Sequence, residues 1–417
     1  MKIIQINATY GNADSTGRNV KEMHEWLKDH NFESIVYTAS FNEQPSADPN
    51  VRIFSNVIDK KLHGLLSRLT GLQGYYSVLS TKKLITHLKK DNPDGVLLHV
   101  LHSNCINFPI LCHHLSQNKI PTILVLHDCW YFTGHCCHFT QSNCAKWQQD
   151  CRYCPQIHDW NKSWFFDTAH KCLQDKKKWF DAIPQLGVVG VSDWITGEAG
   201  KSILKDAAIL ERIYNWIDLE TFKPQDTTEL RKQLGIEQSQ KVLLGVASGW
   251  SDRKGLAEML QAAKEFPDSK VIMVGNIPQN TEVPSNMLCV GTVRQPELLA
   301  KYYAMADAFV NPSIQETFGK TTAEAICCGT PVVAYKTTAC TELVGETRGK
   351  TVELGETKYF MDAIRAVMAE GKGKYQSALH EFALDNFCME HNIETYLDVI
   401  KELSKRCEDL NETCIGI

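Results

Sequence analysis

The sequence predicts two α/β domains, each built on a parallel sheet. Three observations predict it. Short apolar runs alternate with helical patterns, and the alternation occurs twice along the chain. A polar stretch from Asn215 to Gln240, containing Pro224, separates the two series as a joint would. A length of 417 residues suits about two or three domains at roughly 100–200 residues each.

The elements follow in order. Lys2 to Asn7 is isoleucine-rich and reads as a short buried strand. The loop Ala8 to Arg18 follows, then an amphipathic helix with Val20, Met23 and Leu27 on one face. Strands are expected at Gly95 to Val100, Thr122 to His127 and Gly187 to Val191. The second series has strands at Val242 to Ala247, Val271 to Val274, Ala308 to Asn311 and Pro331 to Ala334, with a turn at Ser248 to Lys254 and a helix at Gly255 to Glu265. Doubly wound sheets bind ligands beyond the carboxyl ends of their strands, so loops Ala8–Arg18 and His127–Gly134 are where chemistry is sought.

Composition excludes several classes. The chain is 43% apolar and 22% charged, ordinary for a globular protein and unlike a disordered or collagen-like one. A formal net charge of −5 argues against a dedicated nucleic-acid binder. No run of about 18 apolar residues exists to span a membrane. Gln5 and Asn7 interrupt what a signal peptide would need as an apolar core. A cytoplasmic location is expected, and there the 16 cysteines should be mostly reduced thiols.

The segment from Asn311 to Val333 carries the sharpest motif. Glu316 and Glu324 stand eight positions apart, with Phe318-Gly319-Lys320 between them as a loop running into a helix. Glu316 would sit in the loop and Glu324 about one turn into the helix. The N–H groups near Gly319 to Thr321 would form an anion site at the helix start. A carboxylate accepts two hydroxyl hydrogen bonds at once, so the pair suits a polyol that carries a phosphate. Taken alone, glutamates at this spacing also fit simple dipole partners or caps.

The whole string, with Gly329-Thr330-Pro331-Val332-Val333 beyond it, resembles the glutamate-seven-residues-glutamate signature of retaining GT-B glycosyltransferases of family 4, also called group 1. Val188 to Asp193 resembles the family's "VSxx" segment. Ile213 to Pro224 resembles its "NGVDxxxFxP" linker, with Trp216 where glycine is usual, and Ala306 to Ser313 its "ADxFxxPS" segment. Ser15 to Arg18, and the stretch from Leu126 through Trp130 to Cys154-Pro155, look closest to colanic-acid-type enzymes that assemble bacterial surface polysaccharides.

The resemblance covers nearly the whole chain and implies a GT-B fold: two Rossmann-like domains with parallel sheets facing each other across a cleft. The expected domains are 1–215, binding acceptor and holding a cysteine-rich insertion at about 129–155, and 216–395, binding a nucleotide sugar. A helix at 396–417 would pack back on the first. The implied activity is retaining transfer of a sugar from a UDP- or GDP-linked donor to a glycan or polyprenyl-linked acceptor of an O-antigen, capsule or exopolysaccharide. Glu324 would bind the ribose hydroxyls, and Glu316 those of the transferred sugar. Gly319 and Lys320 would offer backbone N–H groups. Lys254 and its neighbour Arg253 would meet the charge of the departing diphosphate. The family often places a glycine-arginine pair earlier in this turn, but here Trp250 follows Gly249, so Arg253 carries over only as the residue beside Lys254. His127 would hydrogen-bond in the reaction centre, oriented by Asp128. Gly17 would let backbone approach the diphosphate, with Arg18 beside it. The acceptor hydroxyl would attack on the face the diphosphate leaves, with no catalytic metal, under domains that close over the donor.

Six cysteines (Cys129, Cys136, Cys137, Cys144, Cys151 and Cys154) fall within 26 residues. Cys151 and Cys154 have CxxC spacing, and with Cys136 and Cys144 they would complete a closed structural zinc site. His135, Cys137 and His138 are spare ligands. Buried free thiols or a redox pair fit the same pattern, whereas Cys327 and Cys328 read as small core residues. Lys60 to Lys90 holds seven Lys or Arg and no acid among leucines and tyrosines, which suits either peripheral contact with an anionic membrane or a solvated helix over a core. Rival functions are another GT-B nucleotide-sugar enzyme, an epimerase or a disaccharide synthase, and a zinc-knuckle binding module.

Overall fold

The computed structural model describes residues 1–12, 14–41 and 45–415. The chain divides into two units, one of Met1–Ile213 plus the chain from Ile393, the other of Tyr214–Asn392.

The first unit carries a parallel sheet of β1 (Lys2–Tyr10), β2 (Glu33–Phe41), β3 (Val51–Ile53), β4 (Gly95–Leu98), β5 (Thr122–Leu126), β6 (Leu186–Gly190) and β7 (Ile209–Arg212). Their order is β3-β2-β1-β4-β5-β6-β7, so the winding reverses between β1 and β4. Strands buried on both faces need continuous apolar runs, and Val96, Leu97, Leu98, Ile123 and Leu124 are wholly buried. Two wholly buried polar residues of β1 bond inside the unit: Gln5 donates to the Val20 carbonyl at 3.1 Å, and Asn7 accepts the Val100 N–H at 3.0 Å. That second bond ties β1 to the loop after β4. Helix Met389–Ile415 reaches this sheet, with Ile400 against Gly95 and Leu403 against Gly187.

The second unit repeats the plan with β8 (Val242–Gly249), β9 (Lys270–Asn276), β10 (Met287–Gly291), β11 (Ala308–Asn311), β12 (Val332–Tyr335) and β13 (Gly349–Val352), ordered β10-β9-β8-β11-β12-β13. Every strand pair in both sheets is parallel. Its winding reverses between β8 and β11. The stretch 215–240, read from sequence as a joint, belongs to this unit and includes helix Thr228–Gln233. Arg231 explains why: its buried guanidinium donates to the carbonyls of Glu237 at 2.9 Å and Met305 at 3.4 Å.

The cysteine-rich segment has only three short 3-10 turns, at Trp130–Phe132, Thr140–Ser142 and Lys146–Gln148. Aromatic packing gives it a core, with Trp147 ring centroids 5.2 Å from Phe132 and 4.7 Å from Phe139. Lys176, wholly buried on helix Ala169–Asp181, donates to the carbonyls of Trp130 at 2.5 Å and Thr133 at 2.9 Å. Its ammonium lies 3.5 Å from the Trp130 ring centre.

Buried histidines make this unit acid-sensitive, and His63 shows the sign. Its Nδ1 meets Ser77 Oγ at 2.8 Å, while its Nε2 accepts the Gly74 N–H at 3.2 Å, which only an imidazole unprotonated at Nε2 can do. Burial holds its pKa down at about 4, against a smaller opposing pull from Asp59. The unfolded chain takes up this proton near 6.5, so the stability is full above that pH and is lost as pH falls toward 4. Between pH 7 and 4.5 the native state should lose about 2–3 kcal/mol through this group. Urea midpoints of wild type and His63→Asn over that range check it. An identical pH slope in the two proteins excludes the assignment.

Candidate functional site

The reversal between β8 and β11 opens a crevice at the carboxyl ends of those strands, where open α/β sheets bind ligands. The residues singled out in the second unit gather there. After β8 the chain makes the 3-10 turn Asp252–Lys254 and bends at Gly255, whose φ is +73°. A Cβ there would stand 2.4 Å from the Pro312 ring, so only glycine lets this turn lie against the segment after β11. The contact is sealed by the Ile314 N–H, 3.1 Å from the Arg253 carbonyl. It brings Lys254 Nζ to 2.5 Å from Glu316 Oε1, between residues 62 positions apart. Glu316 is fixed from the other side, its N–H donating to Thr338 Oγ1 at 2.9 Å and its carbonyl accepting from Ala339 at 3.2 Å. Arg253 contributes its carbonyl to this packing, and its side chain is exposed at the same turn.

Gly319, at φ +86°, caps helix Lys320–Cys327. Its carbonyl accepts the N–H groups of Thr322 at 2.9 Å and Ala323 at 3.1 Å. A helix start leaves its first N–H groups without intrahelical acceptors, so the groups around Lys320 suit an anion. Glu324 lies in the second turn, only 4% exposed, where its Oε2 accepts the Tyr303 hydroxyl at 2.9 Å. Asn311, at the end of β11, donates to Thr322 Oγ1 at 2.8 Å and steadies the same helix. Tyr303 was invisible to motif reasoning: it sits in an ordinary apolar helix face, and no spacing marks it. Together the crevice offers an ammonium paired with a carboxylate, a helix start, and a buried carboxylate held by a phenol.

In the first unit His127 follows β5 and meets another histidine. His99 Nδ1 lies 3.1 Å from His127 Nε2. Burial, then the neighbouring His127, pushes the pKa of His99 well below its ordinary value. Sequence pattern gave no signal for His99, which reads as the end of a buried strand. Asp128 does not orient His127 as expected. It turns to His102, whose Nε2 is 2.7 Å from Asp128 Oδ2, while Asp128 Oδ1 accepts the Trp130 N–H at 2.8 Å. Burial opposes charge on both, yet the pairing holds Asp128 at about 2, and Cys137 together with Asp128 holds His102 well above its ordinary value.

One further expectation is corrected. Gly17 lies in the first turn of helix Ser15–Asp29, not in the loop, and its N–H donates to Asp14 Oδ1 at 2.6 Å as part of the N-cap. Its amide is therefore engaged within the chain. The cysteines Cys136, Cys144, Cys151 and Cys154 lie near enough for their charges to interact. Among the described residues, the side chains whose ligand atoms all fall within 4.8 Å are His102, Asp128 and Cys137. Cys151 Sγ accepts the Gly134 N–H at 3.3 Å, and burial pushes its thiol up to about 12. The aromatic core and Lys176 also hold this segment.

Residues 226–383 match the family described as Glycosyl transferases group 1. N-acetyl-alpha-D-glucosaminyl L-malate synthase of Bacillus anthracis is 25% identical over 236 residues, covering 52% of this chain and 60% of that protein. The chain thus spans less than two thirds of that relative. Among solved structures, sucrose-phosphate synthase from Thermosynechococcus elongatus superposes with a TM-score of 0.70 at 16% identity, over 97% of this chain and 99% of the other. HepE of Anabaena, in complex with UDP and glucose, gives 0.64 at 17% identity, over 96% and 100%. At these identities the likeness establishes the fold, which is GT-B.

Proposed function

Taking residues 226–383 as a domain of the group 1 glycosyl transferases, we propose that this chain transfers a sugar, with retention of configuration, from a nucleoside diphosphate sugar to a glycan or lipid-linked acceptor of a bacterial surface polysaccharide. The observation that carries the reading is the crevice between β8 and β11, where Lys254, Glu316, the start of helix Lys320–Cys327 and Glu324 converge from separate segments. Glu324 accepts the ribose hydroxyls, and the N–H groups at Gly319 and Lys320 take phosphate or sugar oxygens. Lys254 leaves its pairing with Glu316 to meet the diphosphate as charge builds there, and Glu316 is freed for the hydroxyls of the sugar. Arg253, exposed at the same turn, adds positive charge. His127, paired with His99, hydrogen-bonds at the reacting hydroxyl. The curated relative is named for an N-acetylglucosaminyl transfer and HepE was solved with UDP and glucose, which favours a UDP-linked hexose as the first donor to try.

A screen of UDP- and GDP-sugars by thermal shift and by release of nucleoside diphosphate tests the proposal. One donor should raise the melting temperature and release diphosphate in the presence of a glycan or polyprenyl acceptor. Folded protein that shifts with none of them would rule it out.

A lipid-linked acceptor also calls for contact with a membrane surface. Among the described residues no helix is long and apolar enough to cross a membrane. Helix Val57–Thr70 instead exposes Ile58 (79%), Leu62 and Leu65 beside Lys61. This face supports peripheral binding at the cytoplasmic surface. Co-sedimentation with anionic vesicles should be strong for wild type and should fall at least fivefold for the double variant Ile58→Asp/Leu62→Asp. Equal sedimentation of the two excludes this surface.

A further inference from the structure

We infer that His102, Asp128 and Cys137 form a binding site for one divalent ion of the zinc class, separate from the CxxC cysteines. The three residues come from three segments. His102 lies in the loop after β4, Asp128 in the loop after β5, and Cys137 in the cysteine-rich segment. Their ligand atoms all lie within 4.8 Å of one another. An imidazole, a carboxylate and a thiolate are each zinc ligands, and three protein ligands leave one tetrahedral position open. Soft sulfur with imidazole selects against magnesium and calcium, which take oxygen.

The distances fit. Tetrahedral zinc, with bonds of about 2.3 Å to sulfur and about 2.05 Å to nitrogen, separates those two ligand atoms by about 3.6 Å. Here Cys137 Sγ is 3.7 Å from His102 Nε2. The imidazole and carboxylate are 2.7 Å apart, the length of a hydrogen bond, and would open to about 3.4 Å around an ion. The surroundings are prepared for charge. Asn161 Nδ2 stands 3.7 Å from Cys137 Sγ, a donor suited to a thiolate. Trp130 N–H holds the second carboxylate oxygen at 2.8 Å, which orients the first toward His102. Cys137 is buried, and the side chains of His102 and Asp128 are only 18% and 15% exposed.

Binding would displace the proton of the Cys137 thiol, which ligates as the thiolate, so affinity should rise with pH. The ion would clamp the loops after β4 and β5 to the cysteine-rich segment. It would thereby hold the backbone at Asp128, one residue beyond His127. The inference rests on the first unit alone and does not depend on the proposed sugar transfer.

The test uses the full chain, purified without chelator, and counts metal by plasma mass spectrometry. One zinc per chain is expected, lost in Cys137→Ser and in His102→Ala and retained in Cys151→Ser. Cobalt loaded into the wild-type apoprotein gives a second reading that needs no variant. A site of this composition shows the charge-transfer band of a single thiolate, whereas the CxxC cluster would show the several-fold stronger band of three or four. Less than about 0.1 zinc per chain with no cobalt band, zinc retained by folded Cys137→Ser, or a multi-thiolate band would each overturn the inference. The first of these would leave His102 and Asp128 as a hydrogen-bonded ion pair beside a thiol.

Discussion

Lys254→Ala should lower kcat about 10²- to 10³-fold, with the donor KM changed by less than about tenfold. The split follows from when the charge is needed. In the proposed reading the helix start at Gly319 and Lys320 holds the ground-state diphosphate, whereas the additional negative charge on the leaving group appears only as the glycosidic bond breaks. A group that acts on that charge lowers kcat and leaves binding largely intact. The resting pair of Lys254 with Glu316 keeps the ammonium in place beforehand. The cost to stability should be small, about 1 kcal/mol or less, because both side chains are partly exposed at 37% and 18%. Steady-state kinetics with the donor found in the screen, together with a melting curve, measure all three quantities. A kcat within threefold of wild type would remove Lys254 from the chemistry. Arginine at this position should recover only part of the rate, since a planar guanidinium does not occupy the place of a compact ammonium.

Glu324→Ala should weaken nucleoside diphosphate binding about 10²- to 10⁴-fold. Each hydrogen bond from a ribose hydroxyl to an ionised carboxylate contributes about 1.5–3 kcal/mol, and both are lost together. This variant has a confounding effect that the structure identifies. Glu324 accepts the hydroxyl of the fully buried Tyr303, so alanine also removes this buried bond, at a cost of about 1–3 kcal/mol in stability. The double variant Glu324→Ala/Tyr303→Phe removes the phenol hydroxyl as well and should recover part of the lost stability, while nucleotide binding stays lost. Calorimetric titration with UDP and GDP, beside denaturant unfolding, separates the two effects. Nucleotide affinity that returns with the melting temperature would mean that Glu324 serves the fold alone.

Much of the architecture was legible because parallel strands covered on both faces must be apolar throughout. The strands at 95, 122, 186, 242, 270, 308 and 332 announce themselves as short runs of valine, isoleucine and leucine bounded by polar turns. Those passed over are mostly edge or outer strands. β3, β7, β10 and β13 are partly exposed, so their residues carry weaker patterns. β2 mixes serine, threonine and tyrosine into its apolar run. Tyr37 can be buried there because Asp91 and Arg52 meet its hydroxyl, and neither is adjacent in sequence.

The sequence by itself determined which residues of the second unit to examine. Glu316, Gly319, Lys320 and Glu324 lie in one short segment, where helix geometry and local spacing suffice to order them. It also determined that the fold is doubly wound, since alternation along the chain is a local property. Tertiary structure decided the pairings. Lys254 reaches Glu316 because Gly255 lets one turn lie on Pro312, Glu324 meets Tyr303 across two helices, and Asp128 turns from its neighbour His127 to His102. Each is a contact between segments far apart in the chain, made by packing that no local pattern encodes. The cysteines show the same division: spacing nominated four thiols within one segment, whereas the approach of Cys137 to His102 and Asp128 joins that segment to the loops after β4 and β5.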